Sequence, residues 1–490
     1  MLKRILQFLG IFLILLLAYL GIKTLLFSSV QKDYALVEVP ALDEAAVARF
    51  AGAIRIKTIS QGEDTPPDSA AMRELHAYLA ENFPLVDSML TRETVADLSL
   101  LYTWEGTNQA AKPIILIGHM DVVPIEEASR SEWEQAPFSG AVADGFIWGR
   151  GTLDDKVTVL TVLEAVENKL KQGFRPERTV YLSFGHDEEI GGKGARALVK
   201  TLQDRGVQAE FVLDEGGVIT QGLVPGLDRD AALISIAEKG YMSLQLTVQL
   251  PEGGHSSMPP PEPAVEILAR ALVQVREFRP AARLSEPIDK MFTYLGPEMD
   301  FPYNVIFANQ NLLGNVITDI LANSSPSGNA SVRTTTAPTM LSGGVKDNVL
   351  PSKVSAVINF RLLPGDDSEK MMEYVKKIID DERVSVTRYG SVQFEATTVS
   401  STESFGYQVI EQSIKEVFEN THVAPNLAVG FMDVRHYQPL SDDLYRFLPL
   451  RANSEDLARI HGVNERLSLD DFRKGIAFYE QLLEHGTKAE

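Results

Sequence analysis

Apolar residues fall along the chain in three regimes, and each predicts a different kind of element. The first is continuous. From Ile5 to Phe27 the text "ILQFLGIFLILLLAYLGIKTLLF" has Gln7, Lys23 and Thr24 as its polar interruptions, and about 20 apolar residues in a row cross a bilayer as a helix. A membrane anchor is predicted over residues 1–27, with a short mixed tether over 28–42. Lys3 and Arg4 precede the apolar run, so the positive-inside rule favours a cytoplasmic N-terminus and a single-pass chain with the remainder outside. A cleaved signal peptide competes, but the apolar core is long and "FSSVQK" is a poor substitute for an A-x-A-like site.

The second regime alternates short apolar runs with amphipathic helices. "PIILIGHMD", "RTVYLSF" and "AEFVLDEGG" read as strands, each separated from the next by a helical segment. Val159, Leu163, Val166 and Leu170 share one helical face that Gly173 terminates, and Ala195, Leu198, Val199 and Leu202 share another. This pattern predicts an α/β domain, residues 43–239, with a mostly parallel sheet covered by helices on both faces. The third regime has period two. "MSLQLTVQL" and "VSAVINFRLL" alternate strictly and flank the helical "EPAVEILARALVQVREF", which predicts a smaller α+β domain over 240–361 inserted into the first. Residues 362–490 return to the second regime and form the rest of the predicted α/β domain. There Ser468 and Asp471 open a helix whose Phe472, Ile476, Tyr479 and Leu483 line one face.

Composition narrows the chemistry. The 490 residues carry 46 basic and 67 acidic side chains, a net charge of −21, which disfavours nucleic acid and anionic surfaces as partners. There is no cysteine, so disulfides, thiolate metal sites and cysteine nucleophiles are excluded. Any metal must be held by His and carboxylate.

In open α/β sheets ligands bind outside the carboxyl ends of the strands. Here each apolar run ends in polar candidates: His119 and Asp121; Asp187, Glu188 and Glu189; Asp214 and Glu215. A further pair, Asp154 and Asp155, opens a helix. Any one such ending is commonplace and meets solvent. Three together, one with an imidazole, point to a cation that neutralises the carboxylates. Nitrogen and oxygen donors without thiolate suit zinc, with manganese or cobalt as substitutes. Residues two apart in an extended segment point the same way, so Asp121 can accept the other ring N–H of His119. Of Glu188 and Glu189 only one need bind metal, which leaves the other as a base.

"GHMDVVP", "WGRGTLDDK", "DEEIGG", "LDEGG", "GGHSSMPP", "NVLP" and "IHGVNERLS" occur in the order found in the co-catalytic di-zinc amidohydrolases, which include aminoacylase, carnosinase, glutamate carboxypeptidase and yeast vacuolar carboxypeptidase S. From about Ala46 onward the chain resembles that family. "RTTTAPTM", "GGVKDNVLP" and "RHYQPLSDDLYRFLP" look most like the branch of carboxypeptidase S and the secreted N-fatty-acyl-amino-acid synthase/hydrolase. The resemblance implies a zinc-exopeptidase-like fold with a lid or dimerisation domain. It implies that Asp154 bridges two zinc ions, with His119 and Asp214 completing one site and Glu189 and His461 the other. Glu188 would be the general base, and Asp121 the partner of His119. His255 would stabilise the oxyanion, often across a dimer interface, and so implies a homodimer. Asn348 and Arg361 would hold a substrate carboxylate, and His436 would lie near substrate. The family has small polar residues around the Asp of its "TDSRHY"-like motif, whereas Met432 and Val434 flank Asp433 here.

The expected activity is hydrolysis of an amide bond beside a free amino-acid carboxylate, by a hydroxide shared between two metal ions. The substrate would be a short peptide or an N-acyl amino acid. Two alternatives follow from the same residues: an N-acyl-amino-acid synthase/hydrolase running reversibly on fatty acyl groups, and a noncatalytic metal-stabilised binding module. The anchor and the absence of cysteine fit the outer, periplasmic face of a bacterial inner membrane. His76, His422 and His485 read as surface residues, and His186 as a residue behind the metal ligands.

Overall fold

A computed structural model describes residues 1–62, 65–390 and 392–489. The large sheet has 10 strands and is mixed. Its central strands Val180–Gly185, Ile114–His119, Phe211–Asp214 and Leu444–Arg446 run parallel to one another. Antiparallel pairs flank them: Ser99–Trp104 beside Val180–Gly185, and Asp230–Glu238 beside Leu444–Arg446. The mostly parallel expectation therefore holds at the centre, where the ligand-bearing strands lie.

Strand periodicity explains the two-sided burial. Ile114 and Leu116 face one apolar layer with Leu163, Phe472 and Leu482, while Ile115 and Ile117 face another with Leu198 and Leu202, because successive side chains point to opposite sides of a sheet. The helix Lys156–Lys171 is buried almost all round, and Gly173 ends it with φ 74°. Each fully buried Leu or Val there contributes about 1.5–3 kcal/mol. The helix Leu469–Gly486 starts where Ser468 Oγ accepts the Asp471 N–H at 3.0 Å.

The second sheet has 4 strands. Gly240–Gln249 pairs on one side with Lys353–Leu362 and on the other with Val384–Arg388. Met242, Leu244, Leu246 and Val248 are each 0% exposed and pack on the helices Ala264–Glu277 and Ser368–Ile379. The expected boundary at residue 361 is therefore too early. "LPGDD" looks like the end of a domain, but Met371, Val375 and Ile379 belong to the second core, and Val384–Arg388 closes the edge of its sheet.

The span 240–361 also contains something other than the small domain. Ile288, Phe292, Phe307 and Ile317, from helices between Glu286 and Ser324, pack with Ala231, Ala424 and Leu427 of the large sheet. The N-terminal helix Leu2–Leu26 is long and apolar enough to cross a membrane, and none of its residues is buried.

Candidate metal centre

The carboxyl ends of three central strands converge, as the strand endings suggested. His119 closes the strand Ile114–His119 and is 1% exposed. Its Nδ1 lies 3.0 Å from the Asp121 carbonyl and 3.3 Å from Asp121 Oδ1, so the proton sits there and Nε2 is left for the cleft. Nε2 is 2.9 Å from Asp154 Oδ1 and 3.3 Å from Glu215 Oε1. The other Asp154 oxygen, Oδ2, is 2.9 Å from His461 Nε2, which lies 3.3 Å from Glu189 Oε1. Two clusters that could each hold a cation thus share one carboxylate: His119, Asp154 and Glu215; and Asp154, Glu189 and His461.

Here the geometry departs from the expected set, because Glu215 rather than Asp214 faces His119. Asp214 is 2% exposed and turned the other way. Its oxygens accept the N–H of Val434 at 2.8 Å and of Glu215 at 3.0 Å. It ends the strand, and the next residue, one methylene longer, reaches into the cleft.

Backbone donors set the remaining acids. Asp121 accepts the Ser60 hydroxyl at 2.6 Å and the N–H groups of Glu188 and Glu189 at 3.1 and 3.3 Å, fixing the short turn that carries both glutamates. Asp187 accepts the N–H of Lys193 and Gly194 at 3.0 and 2.7 Å and so caps the helix Lys193–Asp204. The "DEEIGG" acids therefore divide into a helix cap, a candidate base and a candidate ligand. Gly191 and Gly192 take φ of 107° and 66°, and a Cβ on Gly192 would overlap the Asp433 carboxylate.

Electrostatics fit a site made for a cation. Burial alone would lower His119, but Glu215, Asp121 and Asp154 outweigh it and hold the imidazole well above its ordinary range. Burial and the nearby Asp154 push Glu215 up to about 8. Burial also lifts Glu188 well above the carboxylate range, against the pull of His119 and with repulsion from Asp433, Glu215 and Glu189. Glu189 Oε1 is buried, and the His461 ring 3.3 Å away does not meet it in hydrogen-bonding geometry. Such crowding of acids is costly until a cation enters, and an all-nitrogen-and-oxygen donor set in a cysteine-free chain fits a hard or borderline divalent ion.

Two residues escaped the sequence reading. Glu465 is 0% exposed and accepts the N–H groups of Gly151 and Leu153 at 2.9 and 2.8 Å while pairing with Arg150. Arg150 donates in turn to the carbonyls of His461 and Gly462, each at 3.1 Å. This clamp ties the loop of Asp154 to the loop of His461. Its signal was a lone arginine in "WGRGT" and a lone glutamate in "VNERLS", each beside a candidate ligand and opposite in charge.

The predicted substrate residues are spread out. Arg361 lies at the inner end of its strand, stacked over Tyr241 at 4.7 Å and Phe431 at 5.2 Å, with Nη1 buried and unpartnered among the described residues. Arg435 stacks beside it, over Phe394 at 4.7 Å and Phe431 at 4.8 Å. His436 has a buried Nε2, unpartnered among the described residues, and burial lowers its imidazole to about 3. His255 and Asn348 sit elsewhere, at the exposed outer tip of the small domain. His255 pairs with Val349 in a two-strand ladder, and its ring contacts Ser257 Oγ at 2.8 Å. Lys353 to Arg361 is eight steps along one strand, roughly 26 Å at about 3.3 Å each. Hence Asn348 and Arg361 are not brought together within one chain.

The other histidines are less exposed than expected. His422 is 6% exposed, His76 Nε2 meets the Leu98 carbonyl at 3.0 Å, and His485 pairs with Glu416 at 2.8 Å. His186 Nδ1 meets Ser99 Oγ at 2.6 Å.

A mixed α/β sheet with His119 at a strand end, and with Asp154 in an adjoining loop shared between His119 and His461, is the arrangement of a metallohydrolase of the amidohydrolase and peptidase class. Residues 115–485 match the model of peptidase family M20/M25/M40, and the chain belongs to that family. It is 41% identical over 445 residues to the N-fatty-acyl-amino acid synthase/hydrolase PM20D1 of Xenopus tropicalis, covering 90% of this chain and 85% of the relative. Carboxypeptidase S of Saccharomyces cerevisiae is 30% identical over 504 residues, covering 91% and 84%. Among solved structures, the M20 family metallo-carboxypeptidase Sso-CP2 from Sulfolobus solfataricus superposes with a TM-score of 0.66 at 20% identity, covering 91% of this chain and 100% of that one.

Proposed function

We infer that the protein is a membrane-anchored, extracytoplasmic two-metal hydrolase that cleaves an amide bond beside a free amino-acid carboxylate, in a short peptide or an N-acyl amino acid. The observation that carries this is Asp154, whose two oxygens face two separate imidazoles at 2.9 Å each, the arrangement expected of a carboxylate shared by two ions. His119, Asp154 and Glu215 would hold one ion, and Asp154, Glu189 and His461 the other. Zinc suits these donors, and manganese or cobalt would substitute. When bound, the ions supply Lewis acidity toward the scissile carbonyl and acidify the attacking water.

The side chains do the rest. Glu188, buried and kept basic, takes the proton of the attacking water and returns it to the leaving amine. Arg361 has an unmet N–H in an aromatic setting, and a substrate carboxylate would supply the acceptor that the fold does not. Arg435 adds a second positive charge, and His436 Nε2 is a further donor or acceptor toward substrate. His255 would donate to the oxyanion. Because His255 and Asn348 are a strand length from Arg361, a homodimer in which each lid tip serves its partner's cleft accounts for all three residues.

The same site would catalyse the reverse condensation, and the name of the 41% identical relative, a synthase/hydrolase of N-fatty-acyl amino acids, favours fatty acyl groups among the substrates. Purified full-length chain, loaded with zinc, is assayed on N-acyl amino acids and blocked dipeptides with and without chelator. Glu188→Ala is expected to lose about 10²- to 10⁴-fold in rate; undiminished hydrolysis would refute the assigned base.

A further inference from the structure

The stretch Met299–Val332 contains only Asp300 and Asp319 as charged residues, whereas 23% of the whole chain is charged. Its main element is the helix Gln310–Ser324. One face of that helix, Ile317, Thr318 and Ala322, is buried on the protein. The opposite face carries Leu312, Val316 and Ile320, one turn apart in a straight row and 55%, 52% and 56% exposed. Phe301, ahead of the short helix Tyr303–Ala308 that comes before it, is 80% exposed. The exposed side thus pairs this apolar row with a polar one, Asn311, Asn315, Asp319 and Asn323, and an exposed apolar row of this kind marks a contact surface.

The N-terminal helix indicates what that is. Asn309 Nδ2 lies 3.3 Å from the Leu20 carbonyl, and Phe27 packs with Phe292 and Phe307. Leu16, Leu20, Thr24 and Phe27, on one side of the N-terminal helix, are partly covered, and Leu2 to Leu15 are exposed. With Arg4 at one headgroup level, Leu20 lies about 24 Å further along at about 1.5 Å per residue, still inside a hydrocarbon core about 30 Å thick. Asn309, which touches Leu20, immediately precedes the helix Gln310–Ser324, so that helix begins at the depth of the outer acyl chains.

We propose that the Leu312, Val316 and Ile320 face is a membrane-docking surface that lies in the outer leaflet beside the N-terminal helix. The helix has no Lys or Arg, so the recognition is apolar and indifferent to headgroup charge, unlike a basic amphipathic helix. The inference rests on the anchored reading of the N-terminus, and the test separates the two. The chain has no cysteine, so single cysteines can be placed in the full-length protein at Val316, at Leu13 in the anchor, and at Glu373 on the distant lid helix. Each carries an environment-sensitive fluorophore in phosphatidylcholine vesicles containing bromine-labelled acyl chains. Val316→Cys and Leu13→Cys are expected to shift to the blue and lose emission to the bromolipid, while Glu373→Cys does neither. Quenching at Leu13→Cys with none at Val316→Cys overturns the docking surface and leaves the anchor. Quenching at neither overturns both. A disulfide between copies through Val316→Cys, without lipid quenching, assigns the face to a second chain and also overturns the proposal.

Discussion

The candidate metal centre and the lid tip that carries His255 and Asn348 are built on opposite plans. At the metal end the acids behind the candidate ligands accept buried backbone N–H groups: Asp121 holds the Glu188 turn, Asp214 accepts from Val434, and Glu465 holds the loop of Asp154. At the lid tip, His255 and Asn348 are exposed on two loops joined by a short two-strand ladder, and the His255 ring has a neighbouring serine as its partner among the described residues. The difference teaches where rigidity is required. Ion binding demands ligand positions fixed before the ion arrives, whereas in the proposed dimer the lid tip stays free until the partner's surface meets it.

The sharpest way to break this comparison is at adjacent acids. Glu215→Ala is expected to remove one of two bound metal equivalents and abolish activity, whereas Asp214→Asn should retain both equivalents with affinity reduced about 10- to 100-fold. Metal analysis of the two purified variants decides it, and loss of an ion from Asp214→Asn alone would reinstate the sequence expectation. Next in size, His255→Ala is expected to lower kcat by about 10²- to 10³-fold with metal content unchanged. Mixing it with Glu188→Ala should restore activity if the lids exchange between copies, and no recovery at any mixing ratio would count against the dimer.

The smallest effect concerns the seam between the domains. Lys239 donates to the carbonyls of Ala330 and Arg333 at 2.8 and 2.7 Å. Burial, with repulsion from Arg361, lowers its ammonium from 10.5 to about 7. Between those values the unfolded chain holds the extra proton, so stability rises with pH across that window. The melting temperature of wild type minus that of Lys239→Met should therefore grow from about pH 7 to about pH 9; a constant difference would show that the lysine keeps its proton.

The candidate metal centre is legible because chemistry at strand ends follows from topology: His119, Glu189 and the acids at 214 and 215 each follow an apolar run, and the runs are visible. Which of Asp214 and Glu215 turns inward was not legible. That choice is made by the Val434 N–H, 220 residues away, and no local pattern encodes it. The small domain was found from its alternation, but its end was misread because "LPGDD" is a turn within the unit and not a boundary. The helices between Glu286 and Ser324 were merged with the lid because their periodicity states which face is apolar and not which sheet receives it.

The clamp of Arg150 and Glu465 joins segments more than 300 positions apart, with Glu465 reaching Gly151 across 314 residues. The loops of Asp154 and His461 can thus be tied together only once residues 461–465, which follow the whole inserted domain in the chain, have been made. A chain cut short before those residues would hold His119 without His461, with one of the two candidate clusters incomplete.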